Sequence, residues 1–152
     1  MEHYYHQHPR VEKYKTLAYA DLPTIAQHAL RDLKLKPLLN SFSKRSGPNC
    51  FATVAHAIST SSSSIADIWL HWEPLSRFLV EQGYKVTLDA PQARDIAVFM
   101  QNGRAVHGSV YLGENIVFEK PGQDFYEPYI ISKLEKSKSD WPKSKLHIWR
   151  KC

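Results

Sequence analysis

The chain has little cysteine: two residues in 152, Cys50 and Cys152. Two thiols in a chain of this length do not make a disulfide framework, and they leave the redox compartment open. There is no paired-cysteine metal motif and no glycine-rich phosphate loop, which removes the commonest zinc and nucleotide signatures. No apolar run approaches the length of a membrane span. The opening MEHYYHQHPR is polar with no apolar stretch behind it, so no secretory signal is visible. His3, His6 and His8 alternate there, but with no cysteine or carboxylate pattern they read as a His-bearing tail and not as a metal site. No internal repeat is present.

What is there fits a globular domain. Hydrophobic residues make up 43% and aromatics 12%, enough for a real core in one domain. Residues 1–15 read as a flexible arm and 16–152 as a single domain, with Cys152 expected to fray. The 20 basic residues exceed the 15 acidic ones by five, and much of the excess lies in KLEKSKSDWPKSKLHIWRK. That run reads as a solvated face or as attraction to a polyanion, such as nucleic acid, anionic lipid or a cell-wall polymer; charge alone does not choose.

The two halves of the chain differ in pattern. Asp21 is expected to cap a first helix, with Pro23 in its opening turn and Leu22, Ile25, Ala29, Leu30 and Leu33 as its apolar stripe; Pro37 ends it. Residues 41–49 read as a polar loop. A second helix runs from Cys50 to about Ile58 and dissolves into a serine-rich connection. Ile65 to Leu70 reads as another helical stretch, and Pro74 opens a turn of helix ending at Gly83. Then come short β-branched and aromatic runs, YKVTL, IAVFM, VHGSVYLG and NIVFEK, with LHIWR as a further candidate strand. Asn102-Gly103 and Glu114-Asn115 are hairpin signals between them. Helices first and an antiparallel meander second make an α+β arrangement, N-terminal helices packed on an antiparallel sheet.

Cys50 carries the chemistry. In GPNCFATVAHAI it stands at the first turn of a helix, where unpaired N–H groups and the positive dipole end favour a thiolate, the reactive form of cysteine. His107, Ser109 and Tyr111 share one face of their strand, and Val117 and Glu119 share a face of the next. A hairpin in register brings Glu119 back to His107, where a carboxylate fixes the tautomer of an imidazole and stabilises its charged form. Nucleophile, base and orienter are then all present. Taken singly, Cys50 reads as a small buried hydrophobe, His107 as a structural histidine, and Glu119 as a strand end pairing with Lys120 or Arg104. His56, on the Cys50 helix, reads as a partly exposed or core histidine and not as the catalytic base, and His71 and His147 lack chemistry-bearing neighbours in sequence. Trp69, Trp72, Trp141 and Trp149 read as packing residues first and as a groove lining second.

The order and spacing of NCFA (49–52), RDIAVF (94–99), HGSVYLG (107–113) and NIVFEK (115–120) resemble the NlpC-like cysteine peptidases, cell-wall hydrolases with a papain-type core. In that family a helix-start cysteine is followed by a Gly-Asp turn and strand, a strand like HVGIYLG, and a strand carrying the third polar residue. The chain departs from the pattern at Asn49, Phe51 and Ala52, where the family has Asp-Cys-Ser-Gly. It departs again at Arg94, where the family has glycine, and at Glu119, where His, Asn or Gln is commoner. A carboxylate there is similar to the amidase branch. The resemblance implies a papain-like fold and cleavage of amide bonds in peptidoglycan stem peptides by Cys50, His107 and Glu119. It implies no metal or organic cofactor, no nucleic-acid partner, no stable membrane insertion, and periplasmic or secreted action. Upstream, Tyr14 and Tyr19 are available to assist the cysteine. Two other readings stand beside this one: a papain-like binding or structural module without turnover, and a basic nucleic-acid-binding domain, which lacks any reading motif.

Overall fold

The computed structural model describes residues 3–5, 16–43, 47, 49–59, 68–122 and 128–152. Its centre is a six-stranded antiparallel sheet in which β5 (Arg104–Gly113) is flanked by β4 (Ile96–Gln101) and β6 (Ile116–Glu119). Beyond β6 lies β7 (Ile130–Lys133). Beyond β4 lies β8 (Lys145–Lys151) and then β3 (Tyr84–Thr87) at the far edge. Both hairpins form where their turn residues place them. Asn102 and Gly103 hold φ of 53° and 74°, and Glu114 and Asn115 hold 50° and 61°. Two successive left-handed residues match the twist of the strands they join.

Three helices cover one face of this sheet. α1 (Thr24–Asp32) and α2 (Cys50–Ile58) pack on β5, and α3 (Trp72–Glu81) lies against α2 and β3. α2 is apolar nearly all round and only His56 is half-exposed, so it behaves as a core helix with no solvent face. It can lie this close because β5 carries Gly108. A Cβ there would come within 3.2 Å of Phe51 Cδ1 and 3.4 Å of Val54 Cγ2. The opposite face buries a smaller cluster of Phe99, Tyr111, Val117 and Leu134, completed by Val106, Trp141 and Leu146. A short helix, α4 (Leu134–Asp140), contributes to that side.

Several expectations are corrected here. Asp21 does not cap α1. It ends a 3₁₀ turn (Tyr19–Asp21), Pro23 holds the extended N-cap backbone, and Gln27 Nε2 satisfies the Tyr19 and Leu22 carbonyls from within the helix. Ile25 is exposed while Ala26, Ala29 and Leu30 are buried, so the apolar stripe is rotated from the one read in sequence. No helix covers 68–70; Leu70 is extended and tied to Asn49, and 60–67 lie outside the described residues. The expected arm includes a strand, β1 (His3–Tyr5), paired with β2 (Ser41–Ser43) from the expected loop; the rest of 1–15 lies outside the described residues. Cys152 does not fray, since its N–H donates to the Gly83 carbonyl at 2.9 Å. The charged run after residue 132 is not all solvated face: it supplies α4 and β8. No helix among the described residues is long and apolar enough to cross a membrane.

Candidate active site

Cys50 is the first residue of α2, and Asn49 is its cap. Asn49 Oδ1 accepts from the Ala52 N–H at 3.0 Å, and the Asn49 carbonyl accepts from the Thr53 N–H and hydroxyl at 3.2 and 3.1 Å. The N–H groups of Cys50 and Phe51 remain, and helical geometry gives them no intrahelical acceptor. The same Asn49 amide grips Leu70, donating to its carbonyl at 2.8 Å and accepting from its N–H at 3.2 Å. One side chain thus fixes the start of α2 and the segment leading into α3. The signal was legible, an Asn directly before a helix-periodic apolar run.

His107 is placed by a bulge. On the β4–β5 ladder Phe99 faces His107 but Met100 faces Ala105, so Val106 is an extra residue on β5. A bulge bends its strand and re-aims the neighbouring side chain. The ring is 1% exposed and lies between Phe99 and Trp141, parallel to Trp141 within 17° at 5.4 Å. Its Nε2–H donates to Glu119 Oε1 at 2.6 Å. That leaves Nδ1 for Cys50, which couples electrostatically to the ring from the start of α2. Glu119 reaches His107 along a diagonal: Val110 faces Phe118 across the hairpin, which sets Glu119 two residues from His107 on one face of the sheet.

Glu119 has further partners. Its Oε2 accepts from Ser132 Oγ on β7 at 2.5 Å and from Ser137 Oγ on α4 at 2.8 Å. Neither Lys120 nor Arg104 pairs with it; Lys120 Nζ donates to the Gly122 carbonyl at 2.6 Å and lies over the Tyr129 ring. Burial alone pushes the His107 pKa down, but the Cys50 charge, with the Glu119 bond and charge behind it, overcomes it and pushes the imidazole up to about 10. For Glu119 burial acts upward, and the His107 bond and charge, helped by Ser132 and Ser137, bring its pKa below the usual carboxylate value. The arrangement is a buried cluster of cysteine, imidazolium and carboxylate, with His107 between the other two.

The structure therefore brings Cys50, His107 and Glu119 together and leaves His56, His71 and His147 elsewhere. His56 Nε2–H donates to the Lys34 carbonyl. His71 precedes α3 with its ring edge-on to Trp69. His147 lies on β8 opposite Val98. Tyr19 packs against the helix-side core under Lys36 Nζ, and Tyr14 lies outside the described residues. Asp95, from the Arg94-Asp95 turn, is structural: its carboxylate accepts from the Gln92 N–H and from Arg150 on β8. Among the described residues no group of three or more His, Cys, Asp or Glu is placed to hold a metal. Beside Phe51 and Val106, the neighbours of Cys50 and His107, opens a groove of about 690 Å³ walled by Trp69, Trp72, Arg77 and Arg104. Sequence reasoning missed Ser132 and Ser137, and it read Trp141 as a packing residue without placing it on His107. The serines share a lysine-rich run with Ser139 and Ser144, and only the tertiary fold turns them toward Glu119. No protein-family model matches the chain, and no curated protein matches it.

Proposed function

We propose that the chain is a cysteine hydrolase of amide bonds, built on a papain-like, NlpC-like core and acting on peptidoglycan stem peptides. The observation that carries the reading is the buried His107 ring bonded to Glu119 at 2.6 Å and electrostatically coupled to Cys50 at the start of α2. Arg94 adds support from outside the site. It occupies the position where the family has glycine, and it holds φ of 79°, a left-handed conformation that glycine adopts without cost.

In the proposed reaction the Cys50 thiolate attacks the amide carbonyl carbon. A C–S bond forms, the carbonyl π pair moves to oxygen, and the oxyanion is met by the Cys50 N–H. Collapse breaks the C–N bond, and the leaving amine takes its proton from the His107 imidazolium. Neutral His107 then removes a proton from water, whose oxygen displaces the thiolate. The products are a carboxylic acid and an amine, and the enzyme returns to its starting state. Glu119 holds the ring and balances its charge in both steps.

The test is mass spectrometry of muropeptides incubated with wild type and with Cys50→Ala, followed by kinetics of His107→Ala and Glu119→Gln. Cys50→Ala is expected to abolish cleavage and His107→Ala nearly so. Glu119→Gln is expected to retain turnover reduced on the order of a thousandfold, as for orienter losses in serine systems. Equal cleavage by wild type and Cys50→Ala would remove the proposal. A second reading, a papain-like module that binds without turnover, draws on the burial of Cys50, which is 9% exposed. Failure of a thiol reagent to label Cys50 in the folded protein would favour it.

A further inference from the structure

We propose that Ser132 and Ser137 are positioning residues of the Cys50 site, fixing the Glu119 carboxylate so that it can fix the His107 ring. The proposal rests on the reading of the chain as a cysteine hydrolase. Glu119 is 4% exposed, and a carboxylate taken out of water needs its lone pairs met by donors. His107 supplies one donor to Oε1, and the two serines supply two to Oε2, one from β7 and one from α4. With one oxygen pinned by two donors from different elements, rotation of the carboxylate is blocked and Oε1 stays aimed at Nε2.

The pattern of α4 argues that this is the purpose of Ser137. Its sequence, LEKSKSD, buries only Leu134 and Ser137. Leu134 joins the apolar cluster, while Ser137 is fully buried and spends its hydroxyl on Glu119. An alanine would fill that position without a polar group to satisfy. Ser109 provides the contrast. It lies on β5 on the same face as His107 and is also fully buried, yet its hydroxyl has no hydrogen-bond partner. A buried hydroxyl on this face is thus not bound to Glu119 by default.

Among the described residues the titratable groups facing Glu119 are few. His107 comes from β5 with Cys50 behind it from α2. Lys120 turns its Nζ to the Gly122 carbonyl. The charged side chains of α4 pair with one another at the surface, Lys136 with Asp140 and Lys138 with Glu135.

The experiment uses the full chain carrying Cys152→Ser, so that alkylation reports on Cys50 alone. Two quantities are followed in wild type, His107→Ala, Ser132→Ala/Ser137→Ala, Ser132→Thr and Ser109→Ala. One is the pH profile of Cys50 alkylation by iodoacetamide. The other is the downfield Nε2–H proton of His107 in histidine-labelled protein. The double alanine variant should lower the neutral-pH rate at least about tenfold, the scale of one lost hydrogen bond to a charged group. It should also move the acid limb to higher pH, because a carboxylate with fewer donors protonates more readily, and broaden or abolish the downfield proton. Ser132→Thr, which keeps a hydroxyl, and Ser109→Ala should leave both readouts as in wild type. If the double variant lowers only the unfolding midpoint and moves neither readout, the serines are merely structural and the proposal is overturned. Equal alkylation of wild type and His107→Ala would instead sink the hydrolase reading, and the proton signal would then decide alone whether the serines hold the ring.

Discussion

At the scale of single residues, the buried imidazolium and its carboxylate tie stability to pH in a defined direction. His107 is pushed up to about 10 from an ordinary 6.5, so its contribution is complete below 6.5 and is lost as pH rises through 10. Glu119 is brought below its ordinary 4.5, so its contribution is complete above 4.5 and is lost as pH falls through its folded value. Both are therefore fully present between pH 4.5 and 6.5. Urea unfolding of wild type against His107→Gln/Glu119→Gln should show the largest stability difference in that window, shrinking toward pH 10. A difference that stays constant from pH 6.5 to 10 would mean that the ring is not held charged. The three residues of the cluster were legible in the sequence because each sits in a strongly patterned segment: a helix start, an alternating strand, and the strand across its hairpin. Their supports were not. Ser132 and Ser137 lie 13 and 18 residues after Glu119, across residues that follow no shared period, and nothing local marks a hydroxyl that will be buried.

At the scale of elements, the site depends on how closely α2 approaches β5, and Gly108 sets that distance. Gly108→Val would drive its side chain into Phe51 and Val54, and overpacking of this kind costs about 1–3 kcal/mol. The expected outcome is a lower unfolding midpoint together with slower Cys50 alkylation, since α2 carries the thiol. Loss of stability with an unchanged alkylation rate would show that the helix position is not coupled to the site. The strands and hairpins were readable because period-two alternation and paired left-handed turn residues are local signals. Helix boundaries were less so. The Asp21 cap was overridden by Pro23, whose extended backbone starts the helix later. α4 was hidden because LEKSKSD has one apolar residue, and a helix that buries a leucine and a serine shows no amphipathic stripe.

At the scale of the whole molecule, the sheet does not follow chain order. β8 enters between β3 and β4, pairing Val86 with Trp149 on one side and Ile96 with Trp149 on the other. Arg150 of β8 also meets the buried Asp95 carboxylate, locking the strand to the turn before β4. Deleting residues 145–152 should therefore abolish protection of the β3 and β4 amides in hydrogen exchange and remove the His107 dependence of Cys50 alkylation. Retained protection in β4 would mean that β5 alone suffices to hold it. The α+β class was readable from helices preceding strands, whereas strand order depends on pairings between distant segments that no local pattern encodes.

The place of β8 has a consequence during synthesis. Val86 leaves the ribosome 63 residues before Trp149, its sheet partner on β8. At a synthesis rate of about 5–20 residues per second, β3 waits roughly 3–13 s as an open edge carrying apolar side chains. In the later part of that interval, once Glu119 has been made, the nascent chain holds Cys50, His107 and Glu119 but lacks the strand that closes the sheet behind them. β8 is the last of the described strands to be made, so until it arrives the β3 edge stands open to pairing with another chain.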